Sequence, residues 1–392
     1  MINRVLAAHL LRAAEQRPVV AVTGPRQSGK TTLCRAVFGD HQYVSLEPLD
    51  IRDWARDDPR GFLAAHDGDL ILDEVQRVPT LFSYLQERVD EDPEPGRIIL
   101  TGSQHFGLTE AISQSLAGRI ALLNLLPFSH DEHTSSPNAP QDLWATVWTG
   151  GYPRIHEQGL DPGSWLTDYI ATYIQRDVRQ VLDVNNLDAF TAFLRLLAGR
   201  TAQELNLSDL GADAGVSHNT ARSWLSVLEA SFVIFRLPAW HRNVRKRVIK
   251  APKIHFVDTG LACNLLGIRQ AGQLETHPLR GALFESWVAS EVLKARLHRG
   301  LQPDMSHLRE KQGTEIDLLI QDGQTLTAVE MKSGATVATG FTRNLQRLAE
   351  RAEGDLPDLQ VRPRLLYGGA SAQTRGEIAI IPWSDVAFTE WD

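Results

Sequence analysis

Residues 24–31 read GPRQSGKT, a loop that opens and closes on glycine and ends in lysine and threonine at the spacing G-x-x-x-x-G-K-[ST]. An apolar run, Val19 to Thr23, precedes it and a helical pattern follows, which is the setting in which such a loop cradles phosphates. Gly24 and Gly29 let the backbone curl so that successive N–H groups aim at a β-phosphate, and Lys30 reaches the β- and γ-oxygens. Pro25, Arg26, Gln27 and Ser28 make up the rest of the loop, Thr32 follows it, and Thr31 is placed to set its hydroxyl on Mg²⁺. A second chemical pair closes the run LILDE, 70–74. At the carboxyl end of a buried strand, Asp73 can hold the Mg²⁺ shell and Glu74 can polarise an attacking water. Two adjacent carboxylates there favour hydrolysis over binding alone, with ATP and Mg²⁺ as the implied ligands.

Two further groups carry chemistry. LSDLGADAGVSHNTARSWLSVLE, 207–229, reads as a helix-turn-helix: Gly215 permits the turn, Ser217 caps the second helix, and Trp224, Leu225 and Leu228 bury it. His218, Asn219 and Arg222 would then face a nucleic-acid groove. HRNVRKRVIKAPK follows, bringing Arg242, Arg245, Lys246, Arg247, Lys250 and Lys253 into one basic turn that reads as a wing for DNA phosphates. The same pattern also serves protein contact or a solvated loop. Near the C-terminus stand Glu285 in GALFESWVASEVLK, Asp317 in TEIDLLI, and Glu330 and Lys332 in AVEMKSG. Glu330 and Lys332, at i and i+2 of one strand, share a face, and TEIDLLI is a neighbouring strand ending in a turn at Asp322-Gly323.

The elements that must position these groups follow from periodicity. Residues 2–16 predict an amphipathic helix that Pro18 ends. Strands are expected at 19–23, 41–47, 70–74 and 97–103 with helices between them, the pattern of a parallel sheet covered on both faces. SHDEHTSSPNAPQD, 129–142, reads as a polar surface loop or hinge. Helices are expected from Leu143 to about Arg200, and an α+β region from Ser231 to the end.

Several segments, LDEVQRVP (72–79), LTGSQ (100–104), SLAGR (115–119), GGYP (150–153) and YIQRDV (173–178), come in the order seen in AAA-type ATPases with a C-terminal domain of unknown function, and the chain resembles that family over essentially its whole length. The resemblance implies that Ser103, with Gln104 beside it, senses the γ-phosphate. It implies that Arg119 is an arginine finger delivered to the next subunit of a homo-oligomer, although an arginine there also serves as a surface ion-pair partner. It implies that Pro153 packs on adenine, although GGYP equally suits a turn. The C-terminal cluster resembles the PD-(D/E)XK nuclease core. On that resemblance Asp317 and Glu330 bind Mg²⁺, Glu285 completes the metal shell and Lys332 holds the water; Ile316 stands where the motif has proline. Cleavage and a binding-only role both stay open.

The resulting expectation is an α/β chain: a P-loop AAA-type parallel-sheet core in 1–128, a helical lid in 129–200, a winged helix-turn-helix in 201–255, and an α+β PD-(D/E)XK-like domain in 256–392. A length of 392 residues exceeds one ordinary core, and 43% hydrophobic with 22% charged residues excludes a disordered chain. The net charge of -8 confines any DNA contact to a local patch. Cys34 and Cys263, far apart and outside any CxxC, exclude a disulfide framework and a cysteine-rich zinc site. The sequence carries no signal peptide or membrane span, which points to the cytoplasm. The function expected is ATP hydrolysis acting on DNA. The alternative is a regulatory ATP switch whose C-terminal half binds a protein partner, and a small-molecule kinase is disfavoured by the Asp73-Glu74 pair.

Overall fold

Alternate residues of β1 (Val19–Thr23) enter different cores, and this decides the architecture of the N-terminal part of the chain. Val19 and Ala21 pack with Leu72, Phe82 and Leu100, whereas Val20 and Val22 pack with Leu6, Leu10, Leu33 and Ile71. A strand buried on both faces has to be apolar throughout. It is the inner strand of a parallel sheet that also holds β2 (Gln42–Ser45), β3 (Leu70–Asp73), β4 (Ile98–Gly102) and β5 (Ile120–Asn124), in the order β2-β3-β4-β1-β5. The computed structural model describes residues 2–103, 115–174, 186–241, 251–310, 313–355 and 358–391. It divides into two compact units, one of Met1–Phe128 with Ala230–Phe232 and Leu297–Leu301, the other of Ser129–Glu229, Val233–Arg296 and Gln302–Asp392.

In the first unit, helices Leu6–Ala14, Lys30–Val37, Leu49–Asp57, Pro59–Ala65 and Leu81–Glu91 cover the sheet. The fifth strand, β5, goes beyond the four read from sequence. It lies at the sheet edge with Leu122 half exposed, so its pattern is weaker than that of the buried strands.

The second unit begins with a short helix, His130–Thr134, inside the stretch expected to be a polar loop. Ser129 and Glu132 form a capping box, and His130, Glu132 and His133 are buried. Capping thus wins over the polar composition of the segment. Helices Leu143–Thr149, Pro153–Gln158, Pro162–Tyr169 and Leu187–Ala198 follow. Next come β6 (Gln203–Glu204), helices Leu207–Asp213 and His218–Ala230, β7 (Ile234–Leu237) and β8 (Lys253–Phe256). The three strands form an antiparallel sheet in the order β6-β8-β7. Trp224 fixes the second helix of the pair by packing edge-on against Phe190 and Phe193, at 5.3 Å from each.

After helices Thr259–Leu265 and Arg280–His298 the chain builds a six-stranded sheet from β9 (Met305–Arg309), β10 (Glu315–Asp322), β11 (Thr325–Lys332), β12 (Gln360–Tyr367), β13 (Gln373–Arg375) and β14 (Ile378–Pro382). Its order is β13-β14-β12-β11-β10-β9, with β10 and β11 joined as a tight hairpin at Gly323, φ +53°. Helix Arg343–Asp355 lies between β11 and β12 in sequence, and β11 and β12 are parallel. No helix among the described residues is long and apolar enough to cross a membrane. Both cysteines are free and buried.

Candidate functional site

The phosphate loop leaves β1 at its carboxyl end. Gly24 has φ +149°, and a Cβ there would lie 2.1 Å from the Leu125 carbonyl oxygen, so glycine is required on both counts. Gln27, φ +64°, and Gly29, φ +91°, complete the curl that turns backbone N–H groups inward. Pro25 and Ser28 are buried, Arg26, Gln27 and Thr31 are half-buried, and Thr32 is exposed. Lys30 opens the helix Lys30–Val37 and its ammonium donates to the carbonyls of Gly24 at 3.1 Å and Pro25 at 2.8 Å. Only 6% of the residue is exposed. Burial pushes its pKa down to about 8, with Glu74 and Asp73 working the other way.

Asp73 ends β3 as a buried carboxylate that collects three hydroxyls. Thr31 and Tyr43 each donate to it at 2.8 Å, and Thr101 donates as well. Burial, reinforced by the bond to Asp73, lifts the Tyr43 hydroxyl to about 12. Burial and the Asp73 charge likewise lift the Cys34 thiol to about 12, so it is inert. The Thr31 hydroxyl and Asp73 carboxylate form a pair of hard oxygens at the mouth of the loop, a donor set that fits Mg²⁺ on a triphosphate. Glu74 then leaves the strand in a left-handed conformation, φ 58° and ψ 40°. Its Oε2 accepts a hydrogen bond from Gln76 Nε2 at 2.5 Å, and the same nitrogen donates to Ser103 Oγ at 3.1 Å. Arg4 braces the loop from the first helix's approach, donating to the carbonyls of Ser28 at 2.7 Å and Leu126 at 2.6 Å and lying over the Phe128 ring.

A family model described as "AAA domain" matches residues 16–134, and two models of domains of unknown function (DUF8612 and DUF4143) match 140–272 and 280–386. The uncharacterized protein Rv2008c of Mycobacterium tuberculosis is 33% identical over 340 residues, 85% of this chain and 74% of that protein. The uncharacterized protein Mb2031c of Mycobacterium bovis matches to the same extent. The chain belongs to one family with these mycobacterial proteins and carries an AAA-type ATPase domain. Among solved structures, the Walker-type ATPase paby2304 of Pyrococcus abyssi is 15% identical with a TM-score of 0.42, covering 66% of this chain and 94% of that one. That likeness is too distant to bear on function.

Within the first unit, Arg119 stands apart from the phosphate loop of its own chain. Arg119 immediately precedes β5, and its carbonyl accepts from Val19 N at the start of β1, whereas the phosphate loop leaves the far end of that five-residue strand. A strand of that length spans about 16 Å. The exposed Arg119 side chain chelates Asp90, Nε to Oδ1 at 2.5 Å and Nη2 to Oδ2 at 2.9 Å, and that bond holds the Asp90 carboxyl below its usual range. Pro153 starts the helix Pro153–Gln158 of the second unit. The glycines before it have a local task there: Gly151 N donates to Asp258 Oδ2 at 2.7 Å, and a Cβ on Gly150 would lie 2.2 Å from Asp258 Oδ1. Gln104 lies outside the described residues, as do Arg242, Arg245, Lys246, Arg247 and Lys250. His218, Asn219 and Arg222 are exposed on the first turns of helix His218–Ala230, whose start is capped by Ser217 accepting from Thr220 N at 3.1 Å.

Lys253, read from sequence as part of the basic turn, stands on β8 with 3% exposure and joins the C-terminal carboxylates. Strand burial at Lys253–Phe256 places it there. Its ammonium lies 2.8 Å from Glu285, 3.3 Å from Glu315 and 3.8 Å from Asp317. Lys332 bridges Glu330 at 2.5 Å and Asp317 at 3.4 Å, Asp317 Oδ2 also accepts from Met331 N at 2.9 Å, and Asn344 donates to Glu330. Four carboxylates thus face two ammoniums. Burial and the neighbouring Asp317 charge raise Glu285 and Glu330, and for both lysines the surrounding carboxylates outweigh the lowering effect of burial. An excess of negative charge raises acids and bases together. No group of three or more His, Cys, Asp or Glu among the described residues is arranged to hold a metal ion. Lysines stand among Glu285, Asp317 and Glu330, where the expected metal shell would be.

Sequence reading passed over Gln76, Tyr43, Thr101 and Arg4, and gave Lys253 to the basic turn. Gln76, two residues past Glu74, was within the quoted LDEVQRVP; the others carried no spacing signal because their partners are distant in sequence.

Two outcomes follow. Because the folded pKa of Lys30, about 8, lies below the 10.5 of a solvated lysine, its charged form opposes folding. That cost is full below pH 8 and fades between about pH 8 and 10.5. After allowance for the two carbonyl bonds lost, Lys30→Met should stabilise the nucleotide-free protein by about 1–2 kcal/mol at pH 7, less at pH 10, while abolishing ATP binding. Urea melts at both pH values with nucleotide titration test this; a destabilised variant at pH 7 contradicts it. Lys253→Met strands its carboxylates in a buried place and should cost about 3–5 kcal/mol, part of which Lys253→Met/Glu285→Gln recovers. No recovery in the double variant would mean that Lys253 acts through packing alone.

Proposed function

We propose that this ATPase turns over ATP in response to DNA, which it contacts through the helix pair of its second unit. The observation that carries this is an element order and its exposed face: helix Leu187–Ala198, β6, helices Leu207–Asp213 and His218–Ala230, then β7 and β8 in a sheet of order β6-β8-β7. That is the succession expected of a winged helix. The polar residues His218, Asn219 and Arg222 face solvent on its second helix, and the most basic stretch of the sequence, 242–250, is the connection between β7 and β8.

In this reading residues 1–128 are the ATPase core, 129–200 a helical lid, 201–255 the winged helix and 256–392 a nuclease-like module, in a cytoplasmic homo-oligomer. Lys30 and the loop amides bind the phosphates, Thr31 and Asp73 hold Mg²⁺, Glu74 polarises the water and Ser103 reads the γ-phosphate. Bound Mg²⁺ supplies positive charge against the developing phosphate charge. The order helix Arg280–His298, β9, β10, β11, helix Arg343–Asp355, β12 supports kinship of the last module with PD-(D/E)XK nucleases, whose acidic and lysine positions would be Glu285, Asp317, Glu330 and Lys332. Lys253 extends that set.

One observation favours a second reading, a regulatory ATP switch with a protein partner. Every carboxylate of the cluster already bonds an ammonium, and the described residues offer no group of three acidic or histidine ligands to a metal.

ATP hydrolysis measured with duplex, forked and single-stranded DNA separates the two. DNA should raise turnover in the wild type and equally in Asp317→Ala. Replacing Arg245, Lys246 and Arg247 with alanine should weaken binding to all sequences and flatten the salt slope by about one counterion per lost phosphate contact. Turnover indifferent to every DNA would leave the switch reading. Nicking with Mg²⁺ or Mn²⁺ that Asp317→Ala removes would add cleavage to the module's role.

The position of Arg119 at the opposite end of β1 bars it from its own chain's phosphates, so in this reading it serves a neighbouring subunit. Arg119→Ala should then lower hydrolysis with ATP affinity retained, and mixing it with Glu74→Gln should restore part of the activity. Proven mixed assemblies that stay inactive would remove the trans role.

A further inference from the structure

Gln76 sits where two catalytic-site groups meet. Its side-chain nitrogen donates to Glu74 Oε2 at 2.5 Å and to Ser103 Oγ at 3.1 Å, which engages both amide hydrogens. The amide orientation is thereby fixed, because turning it over would set its oxygen against the Glu74 carboxylate. Gln76 Oε1 is buried and has no hydrogen-bond partner. A buried carbonyl oxygen facing nothing is uncommon in a folded protein and asks for a donor that arrives later.

We propose that Gln76 is the water-positioning residue of this ATPase: it locks Glu74 to Ser103 and offers Oε1 to the attacking water. The inference rests on assigning Glu74 to the water and Ser103 to the γ-phosphate. One water hydrogen points to Glu74 and the other to Gln76 Oε1. The water oxygen then bonds to the γ-phosphorus as the bond to the β–γ bridging oxygen breaks. The bonding pair leaves with ADP, one water proton passes toward Glu74, and the other stays on the phosphate formed. The left-handed backbone at Glu74, φ 58°, brings the side chain back over the short helical turn Val75–Arg77 and makes the contact with residue 76 feasible.

The test is steady-state ATP hydrolysis by the full chain across pH, with ATP binding measured separately. Gln76→Ala should lower kcat by about tenfold or more and leave the ATP dissociation constant within about threefold. Ser103→Ala added to Gln76→Ala should lower kcat by less than the product of the two single losses, since the two share a hydrogen bond. Gln76→Glu keeps the shape but sets two carboxylates together, so that one must hold a proton. Its kcat should fall with rising pH where the wild type is flat, and recover on the acid side. Glu74→Gln is the control. If it is inactive while Gln76→Ala turns over at the wild-type rate, or if Gln76→Ala loses ATP affinity as much as kcat, the role of Gln76 is overturned and the site stands. If Glu74→Gln hydrolyses ATP normally, the underlying assignment of the water fails.

Discussion

A buried ammonium is the constraint around which the first unit is organised. Lys30 has lost its water to a loop, and two backbone carbonyls with two carboxylates nearby replace that hydration only in part. The charge is tolerated because the loop is over-determined: glycine where no Cβ fits, a guanidinium tying Ser28 to Leu126, and β1 held on both sides by strands. An anion with several negative oxygens is the natural complement of such a site. The marginal charge balance of the loop and the fit of a phosphate to it therefore have one cause.

The C-terminal cluster solves a similar problem in the opposite sense. There the excess is negative, four carboxylates to two ammoniums, and the lysines come from different sheets, Lys253 from β8 and Lys332 from β11. Buried charges in this arrangement specify which strands meet more than they add stability.

Local rules made much of the ATPase core legible. The loop GPRQSGKT, the apolar run before it and LILDE are contiguous signals, and the strands they predict stand within a residue or two of β1 and β3. Legibility failed where partners are distant or a local cap overrode composition. Lys253 sits in a basic stretch, and only the strand pairing of β8 turns it inward. His130–Thr134 is polar in composition and helical because of one capping box. Within the second unit the glycines of GGYP receive the Asp258 carboxylate, a partner more than 100 residues away that no local pattern shows. The bridging amide of Gln76 lay in plain view of the motif, yet nothing in its spacing distinguishes it from Arg77.

The sheet order of the first unit also bears on how the protein is made. β1 leaves the ribosome well before its two neighbours, β4 and β5, and this unit draws in Leu297–Leu301 as well. At about 5–20 residues per second, this inner strand waits several seconds for its nearest partner and longer for the last. During that interval an apolar strand with both edges unpaired is exposed to other nascent chains. Synthesis of this ATPase thus passes through a window in which a strand buried on both faces in the finished sheet is exposed along both edges, and holding by a chaperone would matter most there.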